Sequence, residues 1–283
     1  MSDFRPTGFQ IMPPVVKNLL IINSIMFIVD QLLQQTSRVN LTQLLGMHYF
    51  TAEDFKPHQI VTHIFMHGGF SHILFNMFTL WMFGSMLENF WGPKKFLVFY
   101  MVCGIGASLT HLTYTGYKLW PAFQFNETGS LVDFRELVDR NSALLYAASK
   151  DPNNADYAPA ELIELSNQAE KKPGDPFLQE TIRVKVSSIQ SAVEGRPTVG
   201  ASGAIYGLLM AFGMIFPNMV LRLYFLFPMK AKHFVILMIA IGLFFGFAEF
   251  EGDNIAHFAH LGGMAFGFLM IQFWQRGKPR PFN

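Results

Sequence analysis

Apolar residues along this chain gather into six runs of membrane-spanning length, at about 15–33, 71–90, 95–115, 200–217, 232–248 and 255–274. One helical crossing of a bilayer needs roughly 20 mostly apolar residues, so the pattern predicts six membrane helices. Several runs carry polar side chains at lipid depth, among them Asn23 and Asp30 in the first, His72 and Asn76 in the second, Ser202 in the fourth and His260 in the sixth. Such groups are costly against lipid, so these helices are expected to pack on one another. The first run also contains Lys17 and Asn18, and no small-x-small cleavage site follows it. It is expected to be an uncleaved membrane helix rather than a signal peptide.

Two long segments interrupt the pattern. Residues 34–70 join the first two helices, and residues 116–197 are polar and charge-rich. Within the latter, residues 131–150 set Leu131, Phe134, Leu137, Val138, Leu144 and Leu145 near one helical face. Residues 175–193 do the same with Phe177, Leu178, Ile182, Val186, Ile189 and Val193, and prolines at 152, 159 and 173 divide the segment. The 3.6-residue period predicts a helical insert outside the bilayer. The expected organisation is therefore all-α: a polytopic bundle with helices one to three in 1–115, an extramembrane insert in 116–197, and helices four to six in 198–283.

Composition agrees with a lipid-facing surface. Apolar residues make up 51% of the chain and charged residues 14%, against about a quarter charged in soluble proteins. A net charge of +1, with no basic run interleaved with aromatics, argues against nucleic acid as a partner. The lone Cys103 excludes an intrachain disulfide. Lys94, Lys95, Arg222, Lys230, Lys232, Arg276, Lys278 and Arg280 fall in short loops or the tail on one side, whereas Glu249, Glu251 and Asp253 mark the loop between helices five and six. By the positive-inside rule both termini are cytoplasmic and the insert lies on the outer face of the cell membrane.

The chemistry concentrates at the outer ends of three helices. Ser202 opens helix four within Gly200-Ala201-Ser202-Gly203, and Gly203 and Gly207 form a GxxxG pair. Helix six carries the matching pair Gly263 and Gly267, with His260 one turn ahead. Packing of the two glycine faces would bring imidazole to hydroxyl, which is what activation of a serine at neutral pH requires. On helix two, His72 and Asn76 share a face at i, i+4, and both can donate to a developing oxyanion. The plain structural alternative makes the glycines packing positions and the polar residues interhelical bridges.

Taken in order, His72-xxx-Asn76 on helix two, Gly200-Ala201-Ser202-Gly203 on helix four and Ala259-His260-xx-Gly263-xxx-Gly267 on helix six resemble the rhomboid intramembrane proteases. Glu88-xxx-Gly92 at the inner end of helix two, His63-xxx-His67 ahead of it, and Tyr206 one turn after Ser202 are similar to further family features. The resemblance covers about 200 residues, leaving out the insert and the tails. The family's Trp-Arg pair before helix two is replaced by Gln59-Ile60. The resemblance implies a Ser–His dyad with Ser202 as nucleophile and His260 as base, an oxyanion site at His72 and Asn76, and Tyr206 against the catalytic histidine. It implies single-span membrane proteins as substrates, cut near the outer end of the span, and no metal or organic cofactor.

Other histidines weigh less. His257 lies three residues before His260, but only His260 has glycine at +3 and +7. His63 and His67 have helical zinc-ligand spacing without an HExxH glutamate. His48 and His111 are expected to be hydrogen-bonded structural residues and Cys103 a small packing residue. Two other functions fit the polar membrane residues: an inactive rhomboid-like binder of membrane clients, or a small polytopic transporter. Such a binder would have lost the serine or the histidine, and a transporter predicts an inverted repeat that the sequence lacks.

Overall fold

The computed structural model describes residues 8–37, 39–150, 157–223, 227–248 and 257–276. Pro152, the acidic loop residues Glu249, Glu251 and Asp253, and the tail residues Lys278 and Arg280 lie outside them. The first long helix is α1 (Pro14–Thr36). The following loop holds two short helices, α2 (Leu41–Leu45) and α3 (Gln59–Thr62), the latter tightening into a 3-10 turn over His63–Phe65. Helices α4 (Phe70–Thr79) and α5 (Ser85–Trp91) join through a wide π-type turn at Leu80–Gly84, making one rod from Phe70 to Trp91. Then come α6 (Pro93–Thr128), α7 (Leu131–Arg140), α8 (Ser142–Ser149), α9 (Pro159–Lys171) and α10 (Pro176–Glu194). The chain continues with α11 (Ser202–Ile215), an antiparallel hairpin of β1 (Val220–Leu223) and β2 (Phe227–Lys230), α12 (Ala231–Ala248) and α13 (His257–Gln275).

Among the described residues, the helices Pro14–Thr36, Phe70–Trp91 and Pro93–Thr128 are long and apolar enough to cross a membrane alone, and Ser202–Ile215 and Ala231–Gly246 are shorter apolar helices. The all-α reading holds apart from the small hairpin, which the charged loop between helices four and five gave no reason to expect. Large apolar side chains such as Ile25, Ile28, Phe244, Leu269 and Phe273 face outward, as lipid contact requires. The buried core joins Val16 and Leu19 of α1, Leu80 and Leu87, the α6 residues Phe96, Phe99, Tyr100 and Cys103, and Ala204, Ile205 and Leu208 of α11.

Among the polar residues of the first apolar run, Asp30 has a structural task. Asp30, buried, accepts from Leu41 N at 2.8 Å and from Gln34 Nε2 at 2.8 Å, fastening the following loop to α1. The other end of α1 has no side-chain cap of its own. Helix starts leave backbone N–H groups without partners. Pro14 has none to satisfy, and those of Val15 and Val16 donate to the buried Glu88 carboxylate at 3.0 and 2.8 Å. Glu88 therefore serves as a cap supplied by another helix. Glu88→Ala is expected to destabilise the bundle by about 1–3 kcal/mol, because one buried and one part-buried donor lose a charged acceptor. Thermal unfolding in detergent, with Glu88→Gln as the milder comparison, checks this; an unchanged transition in Glu88→Ala would remove the capping role.

The third membrane helix departs from expectation. The sequence predicts its end at 115 and the insert from 116, yet α6 runs unbroken to Thr128. Its 36 residues extend for about 54 Å at 1.5 Å per residue, well beyond the ~30 Å hydrocarbon layer. Pro121 lies inside it and lacks the N–H that Tyr117 O would receive. Arg140 of α7 supplies a substitute: its Nη1 donates to Tyr117 O while the guanidinium lies 4.1 Å over the Tyr117 ring. Asn141 Nδ2 likewise donates to Lys118 O at 3.2 Å. Around this stem α7–α10 build a core of their own from Phe134, Leu137, Leu145, Leu162, Ile182 and Val186, with Ala122 and Phe125 of α6. The two amphipathic stretches thus bury their apolar faces in one shared core, mainly against α6 and α9. Phe177, expected on that face, is instead 77% exposed.

Candidate active site

Two glycine-lined surfaces set the geometry. A methyl placed on Gly263 of α13 would fall 1.9 Å from Gly203 O of α11, and one on Gly267 would fall 2.9 Å from Gly207 O. The two backbones therefore touch, which only residues without a side chain permit. The other side of the same glycines meets α6: a methyl on Gly203 would strike Ala107 Cβ and one on Gly207 would strike Cys103 Sγ. Cys103 and Ala107, one turn apart, thus fill a groove that α11 presents. Cys103 is buried there as a small packing residue.

This contact brings Ser202 and His260 together. Ser202 is the first residue of α11 and His260 lies in the first turn of α13. The distance from His260 Nε2 to Ser202 Oγ is 2.9 Å. Tyr206, one turn below Ser202, stacks on the His260 ring at 4.1 Å and an interplanar angle of 6°, which restricts the imidazole to one plane. His257 is turned away: its ring lies against Phe245 at 5.7 Å and meets His260 edge-on at 6.3 Å.

The start of α11 adds a second property. Ile205 N already bonds Ala201 O, and the N–H groups before it lie at an uncompensated helix N-terminus, where anions are favoured. Gly200, with φ at +118°, makes the turn into this helix, and a methyl there would lie 2.9 Å from His72 Nε2 and 3.6 Å from Ser202 Oγ. The missing side chain makes room for the His72 ring beside the turn that leads to Ser202. Asn76 follows His72 by one helical turn and is 93% buried, with Nδ2 lacking a partner. A buried amide donor without an acceptor is uncommon and is suited to an oxygen that arrives during a reaction.

The loop 34–70 supports this corner from behind. His63 Nδ1 donates to Gln59 O at 2.8 Å, and His63 O accepts from Gly200 N at 2.9 Å. Met47 and Thr198 exchange two backbone hydrogen bonds of 2.9 and 2.8 Å, forming an isolated antiparallel bridge. Gln59, of the Gln59-Ile60 pair, is fully buried. Its amide nitrogen donates to Leu44 O and Asp54 O, and its oxygen accepts from His48 N and Lys56 N, so one side chain ties the loop together. His48 bonds Gln43, in keeping with a structural role. His67 packs edge-on to His72 at 5.1 Å; burial, aided by His72, pulls its imidazole down to about 4, so it is neutral at physiological pH. Sequence reasoning missed the Met47–Thr198 bridge and the His63–Gly200 bond. Backbone pairing between distant residues leaves no mark in residue type.

Comparison with known proteins bears on the family of the chain. The profile of the Rhomboid domain family matches residues 54–122 and 181–276, more than half of the chain. The chain is similar to rhomboid protease GluP of Bacillus subtilis (strain 168), at 32% identity over 59 residues, covering 21% of this chain and 12% of that protein. It is also similar to an uncharacterized mitochondrial rhomboid protein of Schizosaccharomyces pombe, at 26% identity over 223 residues, covering 77% of this chain and 51% of the relative. The chain thus spans about half or less of the length of these relatives.

Proposed function

The chain belongs to the rhomboid family of membrane proteins, and we propose that it is an intramembrane serine endopeptidase working through a Ser202–His260 dyad. Family membership supports intramembrane proteolysis in general terms. The observation that carries the finer reading is the 2.9 Å separation of Ser202 Oγ and His260 Nε2, within the range a general base needs.

In this reading Ser202 Oγ bonds to the scissile carbonyl carbon while its proton passes to His260 Nε2. The carbonyl oxygen becomes an oxyanion that meets the backbone N–H groups at the start of α11, His72 and the unpaired amide of Asn76. Collapse of the tetrahedral species breaks the C–N bond, and His260 delivers its proton to the departing amine. Water then attacks the ester with His260 again taking a proton, which returns to Ser202 as the acid leaves. Tyr206 holds the imidazole in the plane this shuttle needs. The site lies at the membrane-surface ends of α11 and α13, which suits membrane proteins with one spanning segment cut near that end, after a small residue. The same reading places the protein as a multi-pass membrane protein with both termini cytoplasmic and the insert outside.

Labelling by a serine-reactive fluorophosphonate, compared between wild type and Ser202→Ala, separates this reading from an inactive family member that only binds membrane clients. Labelling that depends on Ser202 is expected; its absence in folded wild-type protein would favour the binder. For the oxyanion site, Asn76→Ala and His72→Ala are each expected to lower turnover by about 10- to 1000-fold, since one donor of several is removed. Wild-type turnover in both folded variants would make the two residues purely structural.

A further inference from the structure

Residues 116–197 enter and leave the bundle beside the segment that leads to Ser202, and the point of exit is unusual. Glu194, the last residue of α10, is a buried carboxylate. Its Oε1 accepts from Thr51 Oγ1 at 2.6 Å and from Gln190 Nε2 at 2.9 Å. Thr51 belongs to the loop 34–70, so this short bond links the insert's last helix to a different part of the chain. Two residues earlier in that loop, Tyr49 is buried. Its hydroxyl would lie 2.8 Å from a methyl on Gly116 of α6, and burial together with the Glu194 charge raises its phenol above the usual range.

The same loop segment then grips the lead-in to Ser202. Met47 and Thr198 are bridged in both directions, and a methyl on Gly46 would strike Pro197 and Val199 at 2.7 and 2.9 Å. Gly200 is held by His63 O. Going along the chain, Glu194 is fixed to Thr51, Thr198 to Met47 and Gly200 to His63, and Ser202 follows two residues later. These are three successive stitches between one segment and one loop. Gly200, at the last stitch, sits against His72 with an unusual backbone angle. A shift of the segment by a fraction of an ångström would therefore move Ser202 Oγ relative to both His260 and His72.

We infer that Glu194 is a positioning residue, through which the insert and the loop 34–70 together hold the Ser202 segment in register; the inference rests on the proposed dyad. A carboxylate suits the task because a hydrogen bond to a charged acceptor is stronger than one to a neutral group. Glu194 touches no reacting atom and acts through Thr51 and the backbone pairing beyond it.

The test uses the full chain in detergent or bicelles with Glu194→Ala, Glu194→Gln, Thr51→Val and the Glu194→Ala/Thr51→Val pair. Glu194→Ala and Thr51→Val are each expected to lower kcat on a reporter membrane substrate by on the order of 10- to 100-fold, the scale of small misplacements of reacting groups. KM should stay near the wild-type value. Glu194→Gln, which keeps an oxygen that Thr51 can donate to, should recover most of the loss, and the double variant should be no worse than either single one. Hydrogen exchange provides a readout that does not depend on activity. The amides of Thr198, Gly200 and Met47 should exchange faster in Glu194→Ala and Thr51→Val, while those deep in α11 stay protected. Additive losses, an effect on KM alone, or unchanged exchange at Thr198 and Gly200 would overturn the inference. Wild-type protein that neither cleaves nor labels would instead count against the proposed dyad, and the exchange result would still decide the role of Glu194.

Discussion

Replacement of Ser202 or His260 by alanine is expected to abolish cleavage of a reporter membrane substrate, with rates falling by at least about a thousandfold. The two residues act as one unit: without the hydroxyl there is no acyl acceptor, and without the imidazole the hydroxyl keeps its proton. In units of this kind either loss costs nearly as much as losing both, so the Ser202→Ala/His260→Ala double variant should match the singles. His257→Ala provides the contrast. Its ring packs on Phe245, and the nitrogen 2.9 Å from the serine belongs to His260. It should retain most activity. Single-turnover cleavage and fluorophosphonate labelling, both on protein shown to be folded, measure the outcome. Near-normal turnover by His260→Ala together with loss in His257→Ala would move the base to the other histidine.

A comparable loss is expected from one added methyl group at Gly263. The new carbon would start 1.9 Å from Gly203 O. The obstacle is backbone, so no rotamer change relieves it, and α13 must move away from α11. Overpacking of this kind costs roughly 1–3 kcal/mol, occasionally more, and the rigid partner argues for the upper end. His260 sits one turn above Gly263 on the same helix, so the displacement also opens the 2.9 Å contact with Ser202. Displacement of a reacting group by about 1 Å can cost on the order of 100-fold. Gly263→Ala should therefore lower both the unfolding temperature and the labelling rate. Ala265→Leu, a larger change on the exposed face of the same helix, should leave both near wild type. Wild-type labelling in Gly263→Ala would mean that the two helices do not meet backbone to backbone.

What could be read in advance depended on whether a requirement is local. The glycine register on α11 and α13 is written into adjacent turns, so spacing predicts that the two helices can pack closely, and the pairing of Ser202 with His260 is expected from that register together with the family resemblance. The Tyr206 stack on His260 is expected from the family resemblance and not from spacing. A fall in hydropathy predicts the end of a helix near 115, and α6 continues past it. Helix continuation there depends on Arg140, 19 residues beyond Pro121, completing a bond the proline cannot make. Phe177 is expected on a buried face because it is apolar and near the right register. The stripe that is buried runs through Leu178, Ile182, Val186 and Ile189, and Phe177 lies about 100° around the helix from its start. Glu88 looked like a family mark without a reason. Its purpose became visible only when α1 arrived, more than 70 residues earlier in the chain, with two N–H groups to satisfy.

The separate core of α7–α10 has an evolutionary consequence. Because Phe134, Leu137, Leu162 and Ile182 are covered by their own neighbours, most substitutions among them are invisible to the membrane bundle. The family match itself breaks off at residue 122 and resumes at 181, close to where that core begins and well inside α10. A segment whose ends already lie together adds little loop-closure entropy however long it grows. Lineages can lengthen, trim or exchange such a cassette at small cost, provided the hand-over to the bundle is kept. Selection on the glycine-lined helices has no such freedom, since there each added carbon meets a neighbouring helix.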